Sequence, residues 1–107
     1  MYTKKRKLDH EASSNVDHRC STLKALAVEY ARDRIRANAI LPGWIETDMT
    51  APLFNIEKFE KNVIPRIPQR RWGLPADFGP IAVYFASDAS AYHSGDAVLI
   101  DGGYSCF

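Results

Sequence analysis

The chain has 107 residues, which allows at most one modest domain. Its 14 basic and 13 acidic residues leave a formal net charge of +1, so no whole-chain field would recruit nucleic acid or a membrane surface. No apolar stretch approaches the roughly 18 residues that span a bilayer, and the charged N-terminus lacks the apolar segment of a signal peptide. We therefore expect a cytoplasmic protein without a membrane or nucleic-acid partner.

Residues 1–20 are polar and lack hydrophobic periodicity, which predicts a disordered basic leader. The run KKRK (4–7) is either a solvated tail or an import or nucleic-acid patch; we favour the tail, because four charges alone are weak evidence. The two cysteines, Cys20 and Cys106, lack CxxC spacing, and the nearby histidines lack metal-ligand spacing. The sequence therefore predicts reduced thiols and no metal site.

A helix followed by a strand comes next in the chain. Apolar side chains recur at i, i+3, i+4 and i+7 from Leu23, which predicts a helix over 21–33, capped by Ser21 or Thr22. The alternating stretch 35–41 predicts a strand, and Pro42-Gly43 stops it. A strand that directly follows a helix is typical of a parallel α/β unit.

Two further helices and a second strand complete the pattern. Residues 53–64 have helical spacing and end before Pro65. Residues 75–88 predict another helix, although Pro80 suggests that its regular part begins near Gly79. The apolar run 97–101 is typical of a buried parallel strand. Two strands joined through helices predict an incomplete parallel sheet.

Four segments together resemble a known family. They are KALAVEYA (24–31), IRANAILPGWIETDM (35–49), RIPQRRWGLPADF (66–78) and VYFASDASAYHSGDAVLIDGGYS (83–105). In this order the chain resembles the C-terminal portion of the short-chain dehydrogenases/reductases (SDRs), nearest to gluconate- or glucose-type sugar and polyol dehydrogenases and to 3-oxoacyl carrier-protein reductases.

The resemblance implies an α/β fold over residues 21–107: the C-terminal part of a Rossmann-type, doubly wound parallel sheet, with two strands and about three helices. It also implies NAD or NADP as cofactor and a small-molecule alcohol or carbonyl as substrate. The positions that match the family's nicotinamide-side loop are Pro42, Gly43, Ile45 and Thr47. A glycine lets backbone approach a flat ring, an amide can pair with the carboxamide, and a hydroxyl can bond a carboxamide or phosphate oxygen.

Residues 48–65 match the family's substrate loop. The candidates to wall a pocket are Trp44, Met49, Leu53 and Phe54. The alternative, that they are ordinary core or exposed apolar residues, stays open because such loops vary with substrate.

The family's catalytic pair has no match here. That pair is a Tyr with a Lys four residues later, and the corresponding positions hold Ala12 and Val16. A Gly-rich phosphate loop is not found in the sequence either. We therefore predict a truncated member without catalytic residues that is inactive alone. The alternative is a non-catalytic interaction module that forms homo- or hetero-oligomers through the C-terminal strand and helix, over 75–107, docking on a full-length relative.

Two features bear on stability. Arg34 stands where the family usually has glycine, and left-handed backbone there would cost on the order of 1 kcal/mol for a non-glycine residue. The strand at 35–41 would also have one open edge, which favours self-association.

Overall fold

The computed structural model describes residues 20–106. The predicted leader, apart from Cys20, therefore lies outside the described residues. Among the described residues, no helix has the length and apolar character needed to cross a membrane.

The described elements follow the predicted order of helix, strand, helices and strand. Helix α1 covers residues 20–29, and the other three helices are α2 (Ala51–Phe54), α3 (Glu57–Val63) and α4 (Gly79–Ala86). The strands are β1 (Ala39–Pro42) and β2 (Ala97–Ile100), which pair with each other. Hydrogen bonds from the Ala39 amide to the Asp96 carbonyl and from the Gly43 amide to the Ile100 carbonyl advance both strands together, so the pair is parallel. The predicted α/β class and the two parallel strands are confirmed; the described helices number four rather than about three.

The first helix ends earlier than the predicted residue 33. After residue 29 the chain tightens into a 3-10 turn, Ala31–Asp33, and then reaches Arg34. Arg34 has φ 59° and ψ 31°, which is left-handed backbone. The left-handed conformation considered for this residue is therefore confirmed, although a residue with a Cβ adopts it at an energetic cost.

The predicted strand 35–41 is longer than the observed one. Its first part is held by side-chain bonds and one backbone bond instead of a regular strand ladder. The Asn38 side chain donates through Nδ2 to the His93 carbonyl at 2.7 Å and accepts through Oδ1 from the Asp96 backbone amide at 3.1 Å, and the Gly95 amide donates to the Ala37 carbonyl at 2.7 Å. The Ala37 amide likewise donates to the Ser94 hydroxyl at 3.2 Å. Because side chains satisfy these backbone groups, regular pairing begins only at Ala39.

The single helix predicted over 53–64 is two helices. Ile56 lies between α2 and α3 with φ −76° and ψ 112°, an extended conformation that interrupts the helical hydrogen bonds. For α4 the expected start at Gly79 is confirmed, and Pro80 lies in the first turn, where its missing N–H removes no helical bond. Pro75 begins a separate 3-10 turn, Pro75–Asp77.

The described residues divide into two compact units. The first contains residues 20–39 and 92–97, and the second contains 40–91 and 98–106. The buried apolar side chains of the described residues, Phe54, Val63 and Ile67, belong to the second unit. That unit also contains the carboxyl ends of both strands.

Candidate functional site

Both strands end at the same edge of the sheet, and Gly43 lies there against Asp101. The Gly43 amide donates to the Ile100 carbonyl at 3.0 Å. A Cβ atom added to Gly43 would lie 2.6 Å from the Cβ and 2.7 Å from the Cα of Asp101. Only glycine therefore lets the turn after β1 pass this close to the end of β2.

Ile45 lies in a short parallel bridge with Gly73. The Gly73 amide donates to the Trp44 carbonyl, and the Glu46 amide donates to the Gly73 carbonyl, both at 2.8 Å. These bonds use the neighbours of Ile45 and leave its own N–H out of the bridge. Within residues 20–106 the Ile45 amide has no hydrogen-bond acceptor, so it is a backbone donor held in place and available to a ligand.

Thr47 and Thr50 form a ring of hydrogen bonds with each other and with the Ile45 carbonyl. The Thr47 amide donates to the Thr50 hydroxyl at 2.8 Å, and the Thr50 hydroxyl donates to the Ile45 carbonyl at 2.8 Å. The Thr50 amide lies 3.3 Å from the Thr47 hydroxyl oxygen, and the two hydroxyl oxygens are 3.2 Å apart. Thr47 is exposed, so its hydroxyl can also reach a ligand.

A cluster of aromatic rings packs behind this loop. The Phe54 ring stacks on Trp72 with centroids 4.0 Å apart and planes 12° apart. Trp44 meets its neighbours edge-on, with centroid distances of 5.6 Å to Phe59 and 6.1 Å to Tyr104. Such contacts fix the ring positions in addition to burying apolar area. The loop after β1 is therefore anchored through Trp44.

The four substrate-loop candidates lie in different environments. Trp44 lines two cavities of about 370 and 290 Å³, which also share Leu99 and Asp101. Phe54 is 4% exposed and belongs to the core, whereas Met49 is 90% and Leu53 43% exposed. Met49, Leu53 and Phe54 line neither cavity. The structure thus brings Trp44 and Phe54 together and leaves Met49 on the surface.

Two carboxylates stabilise the backbone around the loop. The Asp77 carboxylate accepts two hydrogen bonds from the Arg71 guanidinium, at 2.8 and 3.0 Å, and one from the Leu74 amide at 2.7 Å. The bonds from Arg71, and then that from Leu74, lower the pKa of Asp77 to about 2. This bidentate pair closes the turn that carries Gly73.

The second carboxylate, Asp101, organises the turn after β2. It accepts from the Gly103 amide at 2.9 Å and the Ser105 amide at 2.8 Å. Partial burial raises the pKa of Asp101, but hydrogen bonds from Ser105 and Gly103 outweigh it, so the pKa lies below its ordinary value. The carboxylate is therefore a structural acceptor, committed to its own turn.

Sequence reasoning missed Gly73, Thr50 and Asp101 as parts of this site. The pair Thr47 and Thr50, three residues apart, carries the spacing of a hydroxyl-to-backbone turn, so that signal was present. For Gly73 no local signal exists, because its partner Ile45 lies 28 positions away. No group of three or more His, Cys, Asp or Glu side chains that could hold a metal occurs in the part of the chain that the structure describes.

In open α/β sheets, ligands bind in the crevice outside the carboxyl ends of the strands, which is where this turn lies. Comparison with known proteins identifies the family. The sequence profile of a family described as enoyl-(acyl carrier protein) reductase matches residues 19–105. The chain belongs to the short-chain dehydrogenase/reductase family.

The chain is also similar to individual members of this family. The chain is 45% identical, over 80 residues, to the 2-dehydro-3-deoxy-D-gluconate 5-dehydrogenase of Pseudoalteromonas atlantica, a match covering 75% of this chain and 32% of that protein. It is 42% identical, over 80 residues and with the same coverages, to the 3-oxoacyl-(acyl-carrier-protein) reductase FabG of Thermotoga maritima. Both matches cover about a third of the relatives' length. The expected sugar-type and 3-oxoacyl neighbours are thus confirmed.

A solved structure shows the same fold. The gluconate 5-dehydrogenase of Burkholderia cenocepacia, crystallised in complex with NADP and tartrate, superposes with a TM-score of 0.75 at 30% identity. The superposition covers 82% of this chain and 34% of that one. The observed strands and helices therefore correspond to part of a Rossmann-type SDR domain.

Proposed function

We propose that residues 42–50 bind the nicotinamide end of NAD or NADP within an oxidoreductase that interconverts alcohols and carbonyls, of sugar or polyol type. The observation that carries the proposal is the outward Ile45 amide, held by the Gly73 bridge and without an acceptor in residues 20–106. The gluconate-type relatives and the neighbour crystallised with NADP support the cofactor and the substrate class.

Each residue of the loop has a defined task in this proposal. The Ile45 amide donates to the carboxamide oxygen, and the exposed Thr47 hydroxyl donates to a carboxamide or phosphate oxygen. Pro42 ends β1 without offering a further backbone N–H donor. Gly43 has no side chain, so a flat ring can approach the backbone of the turn. When bound, the nicotinamide supplies the hydride chemistry. We make the proposal for both NAD and NADP, because the two share this end of the molecule.

The pocket walls are a finer part of the proposal. Trp44 lines both cavities, while Met49 and Leu53 present exposed apolar surface on the segment that follows. Phe54 acts indirectly, since it is buried and its ring stacks on the Trp72 ring. An apolar wall excludes water from a hydride-transfer site; in the two cavities Trp44 supplies it, whereas Met49 and Leu53 line neither.

We further propose that this chain by itself does not turn over substrate. Its positions matching the family's catalytic Tyr and Lys are Ala12 and Val16, and neither side chain exchanges a proton. Purified chain should show no NAD(P)-dependent change in absorbance with sugars or polyols. Turnover that scales with the concentration of this protein would contradict this part.

The binding proposal is tested by titrating ¹⁵N-labelled full chain with nicotinamide mononucleotide. We expect the largest amide shifts within residues 42–50. Ile45→Pro removes the proposed donor without removing a hydrogen bond that the structure uses, so it should abolish these shifts. Ile45→Val keeps the amide and is the matched control. Unchanged shifts in Ile45→Pro, or none in the wild type, would sink the proposal.

A second candidate function is an interaction module without catalysis. On α4 and β2, Val83 is 69% and Leu99 50% exposed, and exposed apolar surface of this kind is typical of contact sites between subunits. Sedimentation velocity of the full chain should show self-association that Val83→Glu removes. Val28→Glu, an equally charged change at another exposed valine, should leave association unchanged. A monomeric wild type would contradict this candidate.

A further inference from the structure

Thr50 stands at the N-cap of α2 but does not cap it. A threonine at this position normally accepts a hydrogen bond from an amide of the first helical turn. Here the Thr50 backbone is helical, with φ −93° and ψ −20°, and its side chain makes no capping bond. The hydroxyl is directed back along the chain instead, toward the loop that precedes the helix.

The hydroxyl joins two backbone groups of that loop. It donates to the Ile45 carbonyl and accepts from the Thr47 amide, both at 2.8 Å. The carbonyl and the N–H of Ile45 belong to adjacent peptide planes, so fixing the carbonyl restricts rotation on one side of the residue. The Gly73 bridge holds both planes: the Trp44 carbonyl shares a peptide plane with the Ile45 N–H, and the Glu46 amide shares one with the Ile45 carbonyl. Thr50 therefore adds a second restraint to the plane that contains the Ile45 carbonyl.

We propose that Thr50 is a positioning residue: its hydroxyl holds the Ile45–Thr47 backbone in the orientation that presents the Ile45 amide to a nicotinamide carboxamide. The inference rests on the proposed function of the loop, and it assigns to Thr50 no contact with the ligand. A hydrogen-bond donor that is already oriented loses little conformational entropy on binding.

The arrangement also accounts for the hydroxyl protons. The Thr50 hydroxyl lies 2.8 Å from the Ile45 carbonyl and 3.3 Å from the Thr47 carbonyl, so we assign its proton to the Ile45 carbonyl, which leaves the Thr50 oxygen as an acceptor for the Thr47 amide. The Thr47 hydroxyl can then donate its proton either to the Thr50 oxygen, 3.2 Å away, or to a ligand oxygen. Binding a ligand therefore replaces one weak contact and leaves the ring closed.

The test compares three variants of the full chain. Thr50→Val keeps the shape and removes the hydroxyl, Thr50→Ser restores it, and Thr22→Val makes the same change at an exposed site on α1. Two readouts are taken after circular dichroism has shown that each variant folds. One is hydrogen exchange of the Thr47 amide, and the other is the titration with nicotinamide mononucleotide.

We expect Thr50→Val to speed Thr47 exchange by about tenfold, because the amide loses its acceptor. It should weaken ligand binding by about fivefold, the equivalent of one ordinary hydrogen bond. Thr50→Ser should recover both values, and Thr22→Val should change neither. Unaltered exchange and affinity in Thr50→Val would overturn the inference, as would failure of Thr50→Ser to restore them.

The outcomes separate this inference from the proposed function. If the wild type shows no ligand-induced shift, the proposed function fails and Thr50 loses its role toward a cofactor. The exchange rate of the Thr47 amide still decides whether Thr50 orders the loop. If the wild type binds and Thr50→Val binds equally well, the proposed function stands and the positioning role is refuted.

Discussion

Replacing Arg34 with glycine should stabilise the chain, although most substitutions do the opposite. Arg34 has φ 59° and ψ 31°, and its amide donates to the Ala31 carbonyl at 3.0 Å. Its side chain is exposed and makes no hydrogen bond or ion pair within the described residues. Glycine therefore relieves backbone strain at this position without removing a contact.

The size of the effect follows from two opposing terms. Left-handed backbone costs a residue with a Cβ about 1–2 kcal/mol, whereas the greater freedom of glycine in the unfolded chain costs about 0.5–1 kcal/mol. At the midpoints of these two ranges, the expected net gain in the free energy of unfolding is about 0.75 kcal/mol. Arg70, with φ 56°, should gain less, because its guanidinium donates to the Pro65 carbonyl.

Urea unfolding of the full chain, followed by far-ultraviolet circular dichroism, measures this gain. Arg34→Gly should raise the denaturation midpoint at an unchanged slope. The matched control is Arg32→Gly, two residues earlier in the 3-10 turn Ala31–Asp33. Its φ is negative, so glycine there should lower the midpoint. If Arg34→Gly lowers the midpoint as much as Arg32→Gly does, the argument from backbone strain is refuted.

Two further predictions concern the edge of the sheet and the Arg71 pair. Gly43→Ala should destabilise the chain by about 1–3 kcal/mol in urea unfolding, because the new methyl group overlaps Asp101. Gly79→Ala, where an added Cβ meets no atom within 4 Å, is the control and should be neutral or stabilising; equal losses in the two variants would contradict the steric reasoning. Asp77 has a folded pKa of about 2, below its unfolded value, so the stability it contributes is present above about pH 4 and is lost as the pH falls toward 2. Asp77→Asn should therefore weaken the fall in the urea midpoint between pH 4 and 2, and an unchanged pH profile would count against the role given to Arg71.

The local parts of the fold could be predicted from the sequence. The start of α4 at Gly79 follows from Pro80, which suits only the first turn of a helix. Left-handed backbone at Arg34 is considered because the family usually has glycine at that position, and the observed φ and ψ agree. For α4 the signal lies in the residue itself, whereas for Arg34 it lies in the resemblance.

The parts that depend on distant partners could not be predicted. The late start of β1 depends on Asn38, whose amide bonds to residues more than fifty positions away. The split of the helix predicted over 53–64 is also invisible to periodicity, because Ile56 keeps the helical spacing while its backbone is extended. Hydrophobic patterns indicate which face is buried, but they do not report which backbone groups side chains occupy.

The candidate site divides in the same way. The proposed cofactor-loop residues Pro42, Gly43, Ile45 and Thr47 follow from the resemblance to the family. What the sequence does not show is that Gly73 bridges the neighbours of Ile45 and leaves its amide free of acceptors in residues 20–106. Phe54 illustrates the converse, since its position in the loop suggests a pocket wall and its ring lies in the core.

Saturation-transfer NMR of the full chain with NADP⁺ tests the proposed cofactor contact most directly. In the proposed function the nicotinamide end lies against residues 42–50, and no residue of this chain is assigned to the adenine. The nicotinamide ring protons should therefore give a strong saturation-transfer signal and the adenine protons a weak one. Ile45→Pro should remove the nicotinamide signal. Stronger saturation of the adenine protons, or no saturation at either end, would contradict the binding of nicotinamide by residues 42–50.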